Sequence, residues 1–133
     1  YACVDLEAGR LRQSNAGHWP LLIWRRREQR IIMAYENSMP IGWYVETNYP
    51  VMESEIIAGD RVILYTDGIL EARNPAGLLF GEERFHDFIR THQDCSAREF
   101  VDGIFSAVVQ WIGGDTDASL GDDITIIAVD FFD

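Results

Sequence analysis

Two acidic tips carry the chemistry available to this chain. One is Asp67, at the end of Arg61-Val62-Ile63-Leu64-Tyr65-Thr66-Asp67-Gly68. The other is the pair in Gly121-Asp122-Asp123-Ile124-Thr125. In both, an acid stands at the tip of an apolar strand. The strand behind can hold the carboxylate rigid while it points out of the sheet. Two such tips side by side would make half of an oxygen-rich site for a hard divalent cation. Taken singly, each tip has a plainer reading. Asp-Gly is a common hairpin turn, and an acidic pair before a strand is usually a solvated loop.

The elements that must position these tips fit in a single domain, since the chain has 133 residues. A hydrophobic fraction of 47%, with four Trp, five Tyr and seven Phe, is enough to bury a real core. No apolar run is long enough to span a bilayer. The start, Tyr1-Ala2-Cys3-Val4-Asp5-Leu6, has no initiator Met and no basic region followed by an apolar one, so it does not read as a signal peptide. It reads as the middle of a strand, and the expectation is a piece of a longer protein.

The formal net charge is −11, from 22 acids and 11 bases. Nucleic acid and anionic lipid are bound by neutralising phosphates with Lys and Arg, so neither is an expected partner. Cys3 and Cys95 are the only cysteines and form no CxxC. That argues against a zinc site or a disulfide framework and fits a reducing, cytoplasmic setting.

The first half reads as β structure. Cys3 to Leu6 and Leu11 to Ser14 flank Glu7-Ala8-Gly9-Arg10 as a hairpin. Leu21 to Trp24 and Ile31 to Ala34 flank a basic tip, Arg25-Arg26-Arg27-Glu28-Gln29-Arg30. Tyr49 to Glu55 and Arg61 to Thr66 continue the pattern around the turn Ala58-Gly59-Asp60. The period then becomes helical. Phe85, Phe88 and Ile89 mark a helix over Glu82 to His92. A second spans Ser96 to Ile112, with Ser96 and Glu99 as a capping box. Its expected apolar face holds Phe100, Val101, Ile104, Phe105, Val108, Trp111 and Ile112, and Gly113-Gly114 ends it. Ile124 to Phe132 reads as a central strand buried on both faces. Strands grouped before helices predict an α+β fold, with helices packed on a sheet and the tips at Asp67 and Asp122 at one end of it.

Six ordered strings carry a resemblance: Asn15-Ala16-Gly17-His18, Pro40-Ile41-Gly42, Gly59-Asp60-Arg61, Tyr65-Thr66-Asp67-Gly68-Ile69-Leu70-Glu71-Ala72, Phe80-Gly81-Glu82-Glu83-Arg84 and Asp122-Asp123-Ile124-Thr125. Together, over essentially the whole chain, they resemble the SpoIIE/RsbU-type serine phosphatases. These are bacterial members of the metal-dependent (PPM) protein phosphatase superfamily. The resemblance implies an antiparallel β-sandwich flanked by helices, of αββα type. It implies two Mn²⁺ or Mg²⁺ ions at one end, and water activated by the metals attacking a phosphoserine or phosphothreonine. The usual substrate is a phosphorylated anti-anti-sigma (STAS-type) protein, in partner switching that controls transcription and stress responses.

Carried over residue by residue, Asp67 and Asp122 match the family's two late metal-binding aspartates. Asp123 then holds a metal-bound water, or is itself the ligand if the register is one residue on. Gly68 lets the backbone pass close to the ions. No catalytic residue beyond the metal ligands is implied. The family's two earlier motifs, a GD(Y/F)-type strand and a DVxGHG-type strand-turn, do not occur here, and no acid precedes Asp5. They supply the bridging aspartate and a carbonyl ligand. The chain is therefore expected to be the C-terminal part of one such domain, residues 1–133, with an incomplete sandwich and half of the site. It should bind metal weakly, show little activity alone, and self-associate through exposed sheet edges. The alternative is a non-catalytic interaction module of a signalling protein that keeps the fold.

Other residues carry plainer readings. His18 is more often a turn cap than an acid. His86 and His92 lie six apart and share no helix face. Arg25, Arg26, Arg27 and Arg30 read as a solvated tip more readily than as a phosphate contact. Met39-Pro40-Ile41-Gly42-Trp43 reads as a flap or as a plain loop. Trp111 reads as core, and Glu71 as a neighbour of the metals or as a solubiliser.

Overall fold

In the computed structural model, residues 1–34, 36, 38–114 and 122–132 are described. The strands are β1 (Ala2–Asp5), β2 (Arg10–Gln13), β3 (Leu21–Arg25), β4 (Arg30–Ala34), β5 (Met52–Glu55), β6 (Arg61–Tyr65) and β7 (Ile126–Asp130). The helices are α1 (Gly68–Glu71), α2 (Gly81–Thr91) and α3 (Ala97–Trp111).

The strands form two antiparallel sheets, in the orders β1-β2-β5 and β4-β3-β6-β7. Period-two alternation sorts the side chains of β3 and β6 between two cores. Leu21, Ile23 and Val62 point toward the smaller sheet and meet Leu11 and Ile56. Leu22, Trp24, Ile63 and Tyr65 point the other way, against Phe85 and Ile89 of α2 and Phe100, Ile104 and Val108 of α3. The result is a sheet-on-sheet sandwich with helices on the outer face of the larger sheet. Each fully buried Leu, Ile or Phe adds about 1.5–3 kcal/mol of transfer free energy.

The turn Ala58-Gly59-Asp60 joins strands of different sheets. Gly59 takes φ +90°, which suits glycine, and its N–H bonds to the Phe131 carbonyl at 2.8 Å. The Ser96 cap forms as the sequence indicates. Its hydroxyl accepts from the Glu99 N–H at 3.3 Å, and the Glu99 carboxylate accepts from the Ser96 N–H at 2.8 Å.

Three expectations need correction. The segment after Ile124 is not a central strand buried on both faces. β7 lies at the edge of its sheet, with Ile126 and Ala128 against the helix-side core. Ile127 and Val129 are 51% and 42% exposed. Among the described residues the smaller sheet has three strands, and none of them covers the inner face of β7. The apolar face of α3 is also narrower than its sequence suggests. Phe100, Ile104, Val108 and Ile112 are buried, while Phe105 is 46% exposed. Trp111 lies at the rim, where its indole N–H donates to the Leu78 carbonyl at 3.2 Å and the Arg84 guanidinium stands 4.2 Å above the ring.

Candidate metal centre

β6 runs apolar and buried up to Tyr65, then delivers Thr66 and Asp67 at its end. Asp67 is the N-cap of the single helical turn α1. Its carboxylate makes no capping hydrogen bond there, and it carries no hydrogen bond or ion pair among the described residues. The side chain is half-buried. β7 pairs with β6 from Tyr65↔Ile126 to Arg61↔Asp130. The residues just before β7, Asp122 to Thr125, must therefore lie beside the end of β6 that carries Asp67. The antiparallel ladder thus brings the two acidic tips together.

Close contacts hold this junction. The Thr66 N–H bonds to the Thr125 carbonyl at 3.0 Å. The Thr66 hydroxyl donates to the Asp123 carbonyl at 3.0 Å and accepts from the Thr125 N–H at 2.9 Å. Gly68 lies so close to the other tip that a Cβ built on it would stand 2.6 Å from the Asp123 carbonyl oxygen. The Asp122 carboxylate accepts from the Asp123 N–H at 2.7 Å, which orients that side chain. Asp122 and Asp123 are both exposed. Ile124 packs into the helix-side core and anchors the turn from below.

The donor set consists of carboxylate and carbonyl oxygen, which suits a hard divalent cation and not a soft one. Gly68 removes the one side chain that would hold the tips apart. These oxygen donors are of the type a hard cation takes, and among the described residues no group of three or more His, Cys, Asp or Glu is gathered to hold one. Nearby, burial pushes the Tyr65 hydroxyl up to about 12, and the Glu82 charge adds to it, so this phenol stays protonated at ordinary pH.

His18 closes an Asn15–His18 turn, with its N–H donating to the Asn15 side chain at 2.7 Å. Glu71 is exposed at the end of α1. Three of the four arginines in the basic tip are engaged internally. Arg25 meets Asp60 at 3.1 Å, Arg26 pairs with Asp94, and Arg30 meets Glu28 at 2.5 Å. His86 is half-buried, and burial lowers its pKa. His92 stacks on Phe88 with 3.8 Å between ring centres. The segment after β4 starts at the end of the sheet that holds Thr66. It packs Pro40 on Gly17 and exposes Ile41, Trp43, Tyr44 and Val45. A cleft of about 440 Å³ opens at the opposite end of the sheet, lined by Arg26, Arg61, Asp94 and Asp130. There Arg26 pairs with Asp94 and Arg61 with Asp130. Thr66 is the residue the sequence reading passed over, because a Thr at a strand end is ordinary by propensity.

Two antiparallel sheets with helices on one outer face match the fold of solved PP2C phosphatase domains. The chain superposes on the SiaA-PP2C domain of Pseudomonas aeruginosa with a TM-score of 0.83 at 24% identity, covering 98% of this chain and 50% of that one. Residues 1–132 match the sequence pattern of the family described as Stage II sporulation protein E (SpoIIE), and the chain belongs to that family. It is 28% identical over 131 residues to Protein IcfG of Synechocystis sp., spanning 97% of this chain and 20% of the relative. It is 23% identical over 129 residues to Phosphoserine phosphatase RsbU of Bacillus subtilis, spanning 97% of this chain and 37% of that protein. The chain thus spans well under half the length of these curated relatives.

Proposed function

We propose that this chain is the C-terminal part, residues 1–133, of a metal-dependent protein serine/threonine phosphatase domain. The domain would hydrolyse phosphoserine or phosphothreonine on an anti-anti-sigma (STAS-type) protein in a cytoplasmic partner-switching pathway. One observation supports this reading: the β6–β7 ladder, with Thr66 and Gly68, runs the backbone at Asp67 alongside the backbone at Asp122 and Asp123. Membership of the family and the RsbU likeness supply the reaction class. No helix among the described residues is long and apolar enough to cross a membrane.

Asp67 and Asp122 would hold the metal, with Asp123 as a further ligand or as the partner of a coordinated water. A bound Mn²⁺ or Mg²⁺ pair would supply Lewis-acid polarisation of the phosphoryl group and lower the pKa of water. The chain's own part is to fix carboxylates at a rigid sheet end and to keep their backbone close through Gly68. These residues make up part of a two-metal cage. The chain alone should therefore bind Mn²⁺ weakly and turn over little substrate.

The test uses the full-length protein that carries this segment, with a phosphorylated STAS protein and Mn²⁺. Phosphate release should fall by several orders of magnitude in Asp67→Asn. Turnover unchanged by Asp67→Asn, or no turnover by the unsubstituted protein, would favour a non-catalytic interaction module instead.

A further inference from the structure

We propose that Thr66 is the positioning residue of the metal centre, setting metal affinity without touching the ion. The inference rests on the metal-phosphatase reading above and adds to it a residue that acts only through Asp122 and Asp123. The Thr66 hydroxyl has one proton, and it goes to the Asp123 carbonyl at 3.0 Å. A lone pair of the same oxygen takes the Thr125 N–H at 2.9 Å. The backbone N–H of Thr66 adds a third bond, to the Thr125 carbonyl at 3.0 Å. Three hydrogen bonds from one residue thus clasp the turn that bears one acidic tip, and Asp67, the other tip, is the very next residue.

The turn depends on this clasp. Asp122 to Ile124 lie beyond both the last ladder pair, Tyr65↔Ile126, and the Thr66–Thr125 backbone bond, so the regular sheet does not fix them. The Asp122 and Asp123 side chains are exposed and are not held by packing. Ile124 fixes the depth of the turn, but an apolar contact is non-directional and leaves its rotation free. The hydroxyl supplies direction, since it engages a carbonyl and an N–H two residues apart on the same turn. Valine has nearly the same shape and would fill the same space, yet it can make neither bond. Serine can make both.

Groups that orient metal ligands without binding the ion typically change affinity by about 10- to 100-fold when removed. Thr66→Val in the full-length protein should therefore weaken Mn²⁺ binding within that range, measured by calorimetry at a temperature where the metal-free protein is fully folded. Thr66→Ser should restore affinity to within a few-fold of the unsubstituted protein. A purely structural threonine would lower the melting point of the metal-free protein in Thr66→Val without that loss and serine rescue of affinity. Should Thr66→Val fail to fold, Thr66→Ala removes the same hydroxyl with less bulk and is read in the same way. Asp67→Ala separates the two ideas. Loss of binding in Asp67→Ala with full affinity in Thr66→Val overturns the role of Thr66 and leaves the centre intact. Equal binding by the unsubstituted protein and Asp67→Ala removes the centre, and the role of Thr66 with it.

Discussion

The Arg61 guanidinium grips both carboxylate oxygens of Asp130, at 2.5 Å and 3.0 Å, and so ties β6 to β7 at the end of the sheet away from Asp67. Both side chains are largely out of water. The same guanidinium donates to the Cys95 carbonyl at 2.5 Å and lies 4.8 Å from the centre of the Phe100 ring. It therefore also pins the α2–α3 connection to the sheet. Arg61→Met would keep much of the volume but strand a buried carboxylate. Breaking a buried pair on one side costs about 3–5 kcal/mol. Urea unfolding should show a loss of that order in Arg61→Met, and a much smaller loss in the double variant with Asp130→Leu. Equal losses in the two would mean that the packing of Arg61, and not its charge pairing, matters.

Gly68 tests the junction from the opposite side. An alanine methyl would meet the Asp123 carbonyl oxygen at 2.6 Å and an Ile124 methylene at 3.2 Å. Alanine gains about 1 kcal/mol over glycine as a helix former. Overpacking against rigid backbone typically costs about 1–3 kcal/mol, so the clash outweighs the gain. Gly68→Ala should be less stable to urea and should bind Mn²⁺ more weakly in the full-length protein. A more stable Gly68→Ala would show that the turn at Asp123 yields freely.

The cap of α3 sets a pH dependence. The Glu99 carboxylate accepts from the Ser96 N–H at 2.8 Å and from the Ser96 hydroxyl at 2.7 Å, and these bonds hold its pKa below the ordinary carboxylate range. With the folded-state pKa depressed, the stabilisation is fully present above the unfolded-state pKa. It is lost as pH falls through the folded-state value. The melting point of the unsubstituted protein should exceed that of Glu99→Gln at neutral pH, and the gap should close in acid. A gap that persists unchanged well below the carboxylate range would place the effect outside this cap.

The bare inner face of β7 predicts association. The strand lies at the sheet edge and exposes Ile127 and Val129. Unpaired edges of this kind template pairing with another chain. The residue 1–133 chain should self-associate at tens of micromolar by light scattering. Added salt should strengthen the association by screening the net charge of −11. Val129→Lys should return it to a monomer. A monomeric mass for the unsubstituted chain at that concentration would remove the expectation.

Much of this molecule was legible in its sequence, wherever the signal is local. Helix α3 announced itself through Ser96 and Glu99, because a capping box joins groups three residues apart. The apolar run before Thr66 named β6, since alternation and branching act within one strand. The family strings mark Asp67 and Asp122 as candidate ligands. What only the tertiary structure decided are matters of which distant segments meet. Ala58-Gly59-Asp60 was readable as a turn, but not as a crossing between two sheets. Ile124 to Phe132 was readable as a strand, but its apolar residues could not say that the smaller sheet stops short of β7. Thr66 looked like any strand-end threonine until its hydroxyl was found between Asp123 and Thr125, 57 and 59 residues away. Local propensity depends on near neighbours and is written along the chain. Sheet order, burial and the clasp on the acidic tips depend on long-range contacts, which exist only once the chain has closed on itself.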